Sequence, residues 1–270
     1  MRTLVAILVL ACLLAGCRRV ETVYPQGSPD EVIQSLEAMV KAGDARRIPD
    51  LIYAEDDDMR LALRRFGRLA GRLQELGEAI QKAFPEEVEK LRKDTLAAAE
   101  RGEATSIMGS LAQSAMKSRR SRRQENPGDS MNLALRRLLV DPYTSFEQAS
   151  DRFSTVELSD DTAGLLFDGQ IILAPFGIMM RRDIDEKWYI VLPLDIPILS
   201  KYRPRTAEQW LIAGYLMRAW ENVAADLKAK IESGELRSLD AVAQEAGIML
   251  TPPTMMIGIA YSKSLEEGSE

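Results

Sequence analysis

The 270-residue chain contains no histidine. Without imidazole there is no general base of the usual kind, no Ser-His-Asp triad, and little to hold a transition metal. Cysteine is nearly as scarce. Its two occurrences, Cys12 and Cys17, lie close to the start, so no thiol follows residue 17. That removes disulfides, a cysteine nucleophile and zinc-thiolate sites from the rest of the chain. Catalysis would fall to carboxylates, Lys, Tyr or Ser alone. The expectation is a binding or interaction protein without catalytic activity or cofactor, the alternatives being a hydrolase that uses carboxylate or Ser/Lys chemistry and a structural, assembly-type protein that acts through its helices. No stretch reaches the roughly 20 consecutive apolar residues of a membrane span. A net charge of −6 gives no whole-chain attraction to nucleic acid. Apolar residues make up 46% of the chain, enough for a core in one or two domains.

What is present begins at the N-terminus. Met1-Arg2 is followed by an apolar run from Leu4 to Leu14 and then by Ala15-Gly16-Cys17. A basic start, a short apolar stretch and small residues before a cut describe a secretory signal peptide. The quartet Leu14-Ala15-Gly16-Cys17 resembles the lipobox of bacterial lipoproteins. The resemblance implies cleavage after Gly16 and lipidation of Cys17 with two or three acyl chains, which anchor stably where a single chain binds only marginally. Cys12 would leave with residues 1–16. Arg18 stands where an Asp often retains such proteins in the inner membrane, so the resemblance leans to the outer membrane. The expected setting is the cell envelope, facing the periplasm.

Residues 17–27 read as a lipidated tether. Ser28-Pro29-Asp30-Glu31 then offers an N-cap, proline at the first helical position and a glutamate three residues after the cap. Val32, Leu36 and Val40 follow at helical spacing, and Gly43 takes the C′ role. From Asp56 to Phe84, apolar residues recur at steps of three and four. Pro85 marks a turn, and Val88 and Leu91 suggest a helix returning antiparallel. Gly67, Gly71 and Gly77 each cost about 1 kcal/mol relative to Ala inside a helix, which points to close packing there. Residues 117–130 read as an exposed loop and Met131–Val140 as a helix. The match between residues 59–65 and 131–137 is too short to establish an internal repeat.

After residue 150 the period changes to two. Phe153–Leu158, Thr162–Phe167, Gln170–Ala174, Gly177–Arg182 and Lys187–Leu192 read as strands. Asp168-Gly169 between apolar runs is a hairpin signal. Connections this short force antiparallel neighbours. Thr206–Ile231 reads as a long helix ended by Gly234, Ser238–Ala246 as a short one stopped by Gly247, and residues 248–270 as a tail with an apolar patch. The fold class is therefore α+β: a helical region at 28–150, an antiparallel meander within 151–205, and C-terminal helices at 206–247.

Two pieces together resemble nuclear transport factor 2-like domains. SPDEVIQSLEAMVKAGDARRIPDLI (residues 28–52) is similar to that family's first helices, and the meander ending in DEKWYIVLPL (residues 185–194) to its closing strands. The resemblance covers about a third of the chain and implies a cone-shaped α+β fold whose concave sheet serves as a pocket or a dimer surface. The stretch from Asp56 to Ser150 and the helices after Pro204 depart from the family pattern. No catalytic residue carries over, because the histidine and aspartate of enzymatic members have no clear match.

Four constellations bear on chemistry. Ser114-Ala115-Met116-Lys117 fits the Ser-x-x-Lys motif, but its companion Ser-Asp-Asn and Lys-Thr-Gly motifs are absent. Asp56-Asp57-Asp58 lacks the alternation, Gly and distal Glu of a calcium loop, and is read as a helix start. Asp183, Asp185 and Glu186 are read as turn residues. Arg60, Arg64, Arg68 and Arg72 sit four apart and line one helix face, with Arg65 adjacent and a second cluster at Lys117, Arg119, Arg120, Arg122 and Arg123. Asp56 can reach Arg60 and Glu75 can reach Arg72, while Arg64 and Arg68 lack local acids. These arginines are the candidate contact with an anionic envelope surface or an envelope protein. Trp210, Tyr215 and Trp220 are read as core, and no metal ligand set is expected.

Overall fold

The computed structural model describes residues 22–100, 150–172, 177–197 and 199–267. The residues read as a signal peptide (1–16), Cys17, the Ser114 motif, the second basic cluster and the stretch Met131–Val140 expected to be helical lie outside the described residues. Helix α1 spans Pro29–Lys41. Ser28 caps it by accepting from the Glu31 amide at 3.2 Å, and Glu31 reaches back to the Gly27 amide at 2.6 Å. Gly43, with φ of 72°, ends it in the left-handed conformation that suits glycine. A 3-10 segment at Ala45–Leu51 leads into helix α2, Asp57–Ala83. Helix α3, Pro85–Glu100, follows a one-residue break at Phe84.

The strands are β1 Phe153–Ser159, β2 Thr162–Phe167, β3 Gln170–Ile171, β4 Ile178–Arg182 and β5 Trp188–Val191. Each pairing is antiparallel, in the order β1-β2-β4-β5, with β3 also on β2. Across Asp168-Gly169 the register is Phe167 with Gln170 and Leu166 with Ile171, as the hairpin signal predicts. Of the strand expected at Gln170–Ala174, β3 keeps Gln170–Ile171 and Ile172 is already in a turn; β4 takes up the same edge of β2 at residues 162–165. The far edge of β5 is covered. The Tyr53 amide donates to the Ile190 carbonyl at 2.9 Å, and the Trp188 amide donates to Gln26 at 2.8 Å.

Two cores result. One joins α1, the 3-10 segment and the sheet through Val32, Met39, Leu51, Ala163, Met180 and Trp188. The other joins α2 and α3 to helix α4, Ala207–Glu232, and helix α5, Leu239–Glu267, through Leu76, Ile80, Val88, Leu227, Ile231 and Val242. Each large side chain buried in this way contributes about 1.5–3 kcal/mol.

Two readings of the sequence need correction. α2 does not pair chiefly with the helix after Pro85; its main partner is α4, more than 120 residues away. Arg65 meets Leu211 and Arg68 meets Glu221, so α2 and α4 run in the same direction. Gly67 and Gly71 admit a close neighbour, but that neighbour is the 3-10 segment: the Arg46 backbone and the Pro49 ring lie against Gly67. The short helix does not stop at Gly247 either. α5 runs on to Glu267 through Pro252 and Pro253. Prolines there remove two helical donors. The helix persists because its inner face packs along α4: Gln209 donates to the Ser264 carbonyl at 3.0 Å, and Trp220 donates to Thr254 at 3.0 Å.

Candidate functional site

The arginine row runs along the solvent side of α2, whose opposite sides hold the 3-10 segment and α4. Asp56 starts this helix, its Oδ1 accepting from the Met59 amide at 2.7 Å, and so is engaged as a cap. Arg60 has Asp57 rather than Asp56 as its acid, loosely, at 3.9 Å. Arg72 pairs with Glu75 at 2.7 Å. Arg68, without a local acid, finds Glu221 of α4 at 3.6 Å. Arg64 is exposed and has no ion pair among the described residues. The row thus divides. Three members are matched by carboxylates at exposed positions, where such pairs are worth about 0–1 kcal/mol, and one is unmatched.

Arg65 does something different. It crosses onto α4, with Nη1 3.5 Å from the Leu211 carbonyl and the guanidinium 5.7 Å from the centre of the Tyr215 ring. Gly214 makes this crossing feasible: a Cβ there would fall 2.8 Å from Arg65 Cδ and closer still to Nη1. One turn beyond Tyr215, Arg218 is exposed and without an ion pair among the described residues. On the other flank, Arg46 of the 3-10 segment is also exposed, its Cβ lying 3.2 Å from where a Cβ on Gly71 would stand. Leu61, Leu211 and Tyr215 are 41%, 40% and 50% exposed among these cations. The site is a shallow cationic face over α2 and α4, with apolar side chains between the guanidiniums.

Such a face can bind phosphate or carboxylate groups through forked N–H donors. Tyr215 adds a ring beside the Arg65 guanidinium, whose Nη1 is turned onto the α4 backbone at Leu211. Sequence reasoning found the row and noted Arg65, but missed Arg46, Gly214, Tyr215 as a platform, and Arg218. Leu211, Tyr215 and Arg218 stand at helical spacing on one side of α4. The sequence does not say that this side adjoins Arg65.

The other candidates have structural roles. Asp183, Asp185 and Glu186 form the β4–β5 turn. The Asp183 amide donates to the Lys187 carbonyl at 2.9 Å, and Asp185 accepts from Tyr189 at 2.7 Å. Glu186 pairs with Arg182. The Tyr189 phenol is pushed up by burial and by Asp185 and Asp183, an effect only partly offset by Arg60. In the aromatic stripe of α4, Ala224, Leu227 and Ile231 are buried, but Trp210 and Trp220 are half-buried and Tyr215 is exposed. Among the described residues no group of three or more carboxylates is placed to hold a metal ion, and no helix is long and apolar enough to cross a membrane. Comparison with models of protein families, with curated proteins and with solved structures finds no match to this chain.

Proposed function

We propose that this protein is a non-catalytic binding or interaction protein of the bacterial cell envelope, held to the membrane by lipid on Cys17 and facing the periplasm from the outer membrane. The lipobox-like Leu14-Ala15-Gly16-Cys17 supports the anchor and the location. The resemblance of residues 28–52 and 185–194 to nuclear transport factor 2-like domains supports a binding role. The observation that carries the reading is the widened arginine face. Arg64 and Arg218 are exposed without ion pairs among the described residues, and Gly214 is hollow where Arg65 crosses. An ordinary solvated helix face has no need of such a hollow. The partner that fits is an anionic envelope surface, with phosphate or carboxylate groups taken by the guanidiniums and acyl or ring carbon resting on Leu61, Leu211 and Tyr215.

Sedimentation with vesicles tests this, using the chain from residue 17 with Cys17→Ser so that no acyl chain contributes. Binding to phosphatidylglycerol-containing vesicles and not to pure phosphatidylcholine is expected, fading with added salt because exposed charges are screened over about 8 Å at physiological ionic strength. A basic side chain near an anionic leaflet contributes about 1 kcal/mol, so Arg64→Gln with Arg65→Gln should weaken binding about ten- to thirty-fold. No binding by the unmutated chain, or binding indifferent to salt and to these substitutions, would return the face to simple solvation.

A further inference from the structure

The outward side of α5 carries no charge. Between Glu245 and Lys263 there is no acidic or basic residue. Ile248, Met255, Met256 and Ile259 stand there 60%, 62%, 72% and 69% exposed. With Pro252 they recur at steps of four and three, the spacing of a helix–helix seam. The opposite side of the helix is occupied by α4, through Gln209 and Trp220. A contiguous apolar stripe of this kind, left uncovered by the other described elements, marks an interaction surface.

We propose that this stripe is a self-association surface on which a second copy of the chain docks, α5 against α5. Three observations select that occupant. A symmetric two-fold interface sets the same patch against itself, so any single-sign charge on it would meet its own copy. This stripe has none. Its flanks argue against a lipid surface, because α5 carries Asp240, Glu245, Glu266 and Glu267 against a single Lys263. An interfacial helix needs Lys or Arg along its polar side, and an anionic leaflet would repel this one. The area is also sufficient. The four large side chains, 60–72% exposed, run together with exposed Thr251, Pro252, Gly258 and Ser262 between them. Two such patches face to face come to the lower edge of specific interfaces, about 1,200 Å² in total, which fits reversible association. Gly258 has nothing within 4 Å of an added Cβ, so the partner backbone meets no side chain there. The association leaves the arginine face open, since α4 lies between α5 and α2. It does not depend on the function proposed above.

Sedimentation velocity over a range of concentrations, with the lipid-free Cys17→Ser chain, reads the mass directly. A reversible shift from one chain to two is expected. Met255→Glu places like charges face to face near the axis and should hold the protein monomeric with its thermal unfolding unchanged. Should that variant unfold, Met255→Cys supplies a conservative probe. In a chain from residue 17 with Cys17→Ser it is the sole thiol, and mild oxidation should yield a disulfide-linked dimer, while Val23→Cys, 83% exposed elsewhere, should not. An unmutated chain that stays monomeric at every concentration would overturn the proposal. So would a folded Met255→Glu dimer, or crosslinking no better at Met255 than at Val23. Loss of vesicle binding by Met255→Glu with no change in mass would assign the stripe to lipid instead.

Discussion

Gly67→Ala sets two physical effects against each other on α2. Helix propensity alone favours the alanine by about 1 kcal/mol. Contact opposes it. A Cβ on Gly67 would stand 3.1 Å from Cγ of Pro49 and under 3.0 Å from the Arg46 carbonyl oxygen. Carbon atoms at optimal separation sit about 3.5–4.0 Å apart, so helix and 3-10 segment would have to part by roughly 0.5–1 Å. Neither neighbour can swing aside, since one is backbone and the other a proline ring. Overpacking costs about 1–3 kcal/mol, and a clash with backbone and a proline ring belongs at the upper end, about 2–3 kcal/mol, so a net loss of about 1–2 kcal/mol remains after the propensity gain. For a chain of this size that lowers the melting temperature by about 2–8 °C. The same substitution at Gly247, also within a helix, meets nothing within 4 Å. There the backbone term acts alone, and Gly247→Ala should stabilise by about 0.5–1 kcal/mol. Thermal unfolding of both variants, followed by circular dichroism, is the assay. A Gly67→Ala protein as stable as the unmutated one, or two variants shifting in the same direction, would refute the reasoning.

Cys17→Ser should abolish fatty-acid labelling and leave the precursor uncleaved; labelling that persists in this variant contradicts the anchor. At alkaline pH, the Tyr261 phenol is pushed up to about 12 by burial, and Tyr189 is raised by burial and its neighbouring carboxylates. An unfolded tyrosine titrates near 10, so the stability from these neutral phenols is fully present below about pH 10 and is lost as pH rises through the folded values. Tyrosinate absorbance should therefore show a late wave that coincides with unfolding, removed in part by Tyr261→Phe. A single wave near 10 in the folded protein would contradict it.

The helix starts were legible because their causes are local. Ser28, Asp56 and Thr206 each cap the helix that follows, accepting from amides three residues on. The β2–β3 hairpin was legible for the same reason, since Asp168 and Gly169, with φ of 53° and 72°, set the turn within two residues. The candidate site was half legible. The four-residue repeat placed Arg60, Arg64, Arg68 and Arg72 on one side of a helix, and Glu75 was within local reach of Arg72. Arg68's acid was not, because Glu221 is brought there only by packing.

The sequence by itself determined the alternation of helix and strand, the α+β class and the uncharged stretch of α5, because periodicity, caps and turn residues act over a few positions. The tertiary structure alone decided that α4 is the main neighbour of α2, that Arg65 crosses Gly214 onto Tyr215, and that α5 continues through two prolines. Each of these rests on contacts between segments more than ten residues apart, and in the first two cases more than a hundred. Such contacts are chosen by the burial and shape of whole faces, which local pattern does not encode.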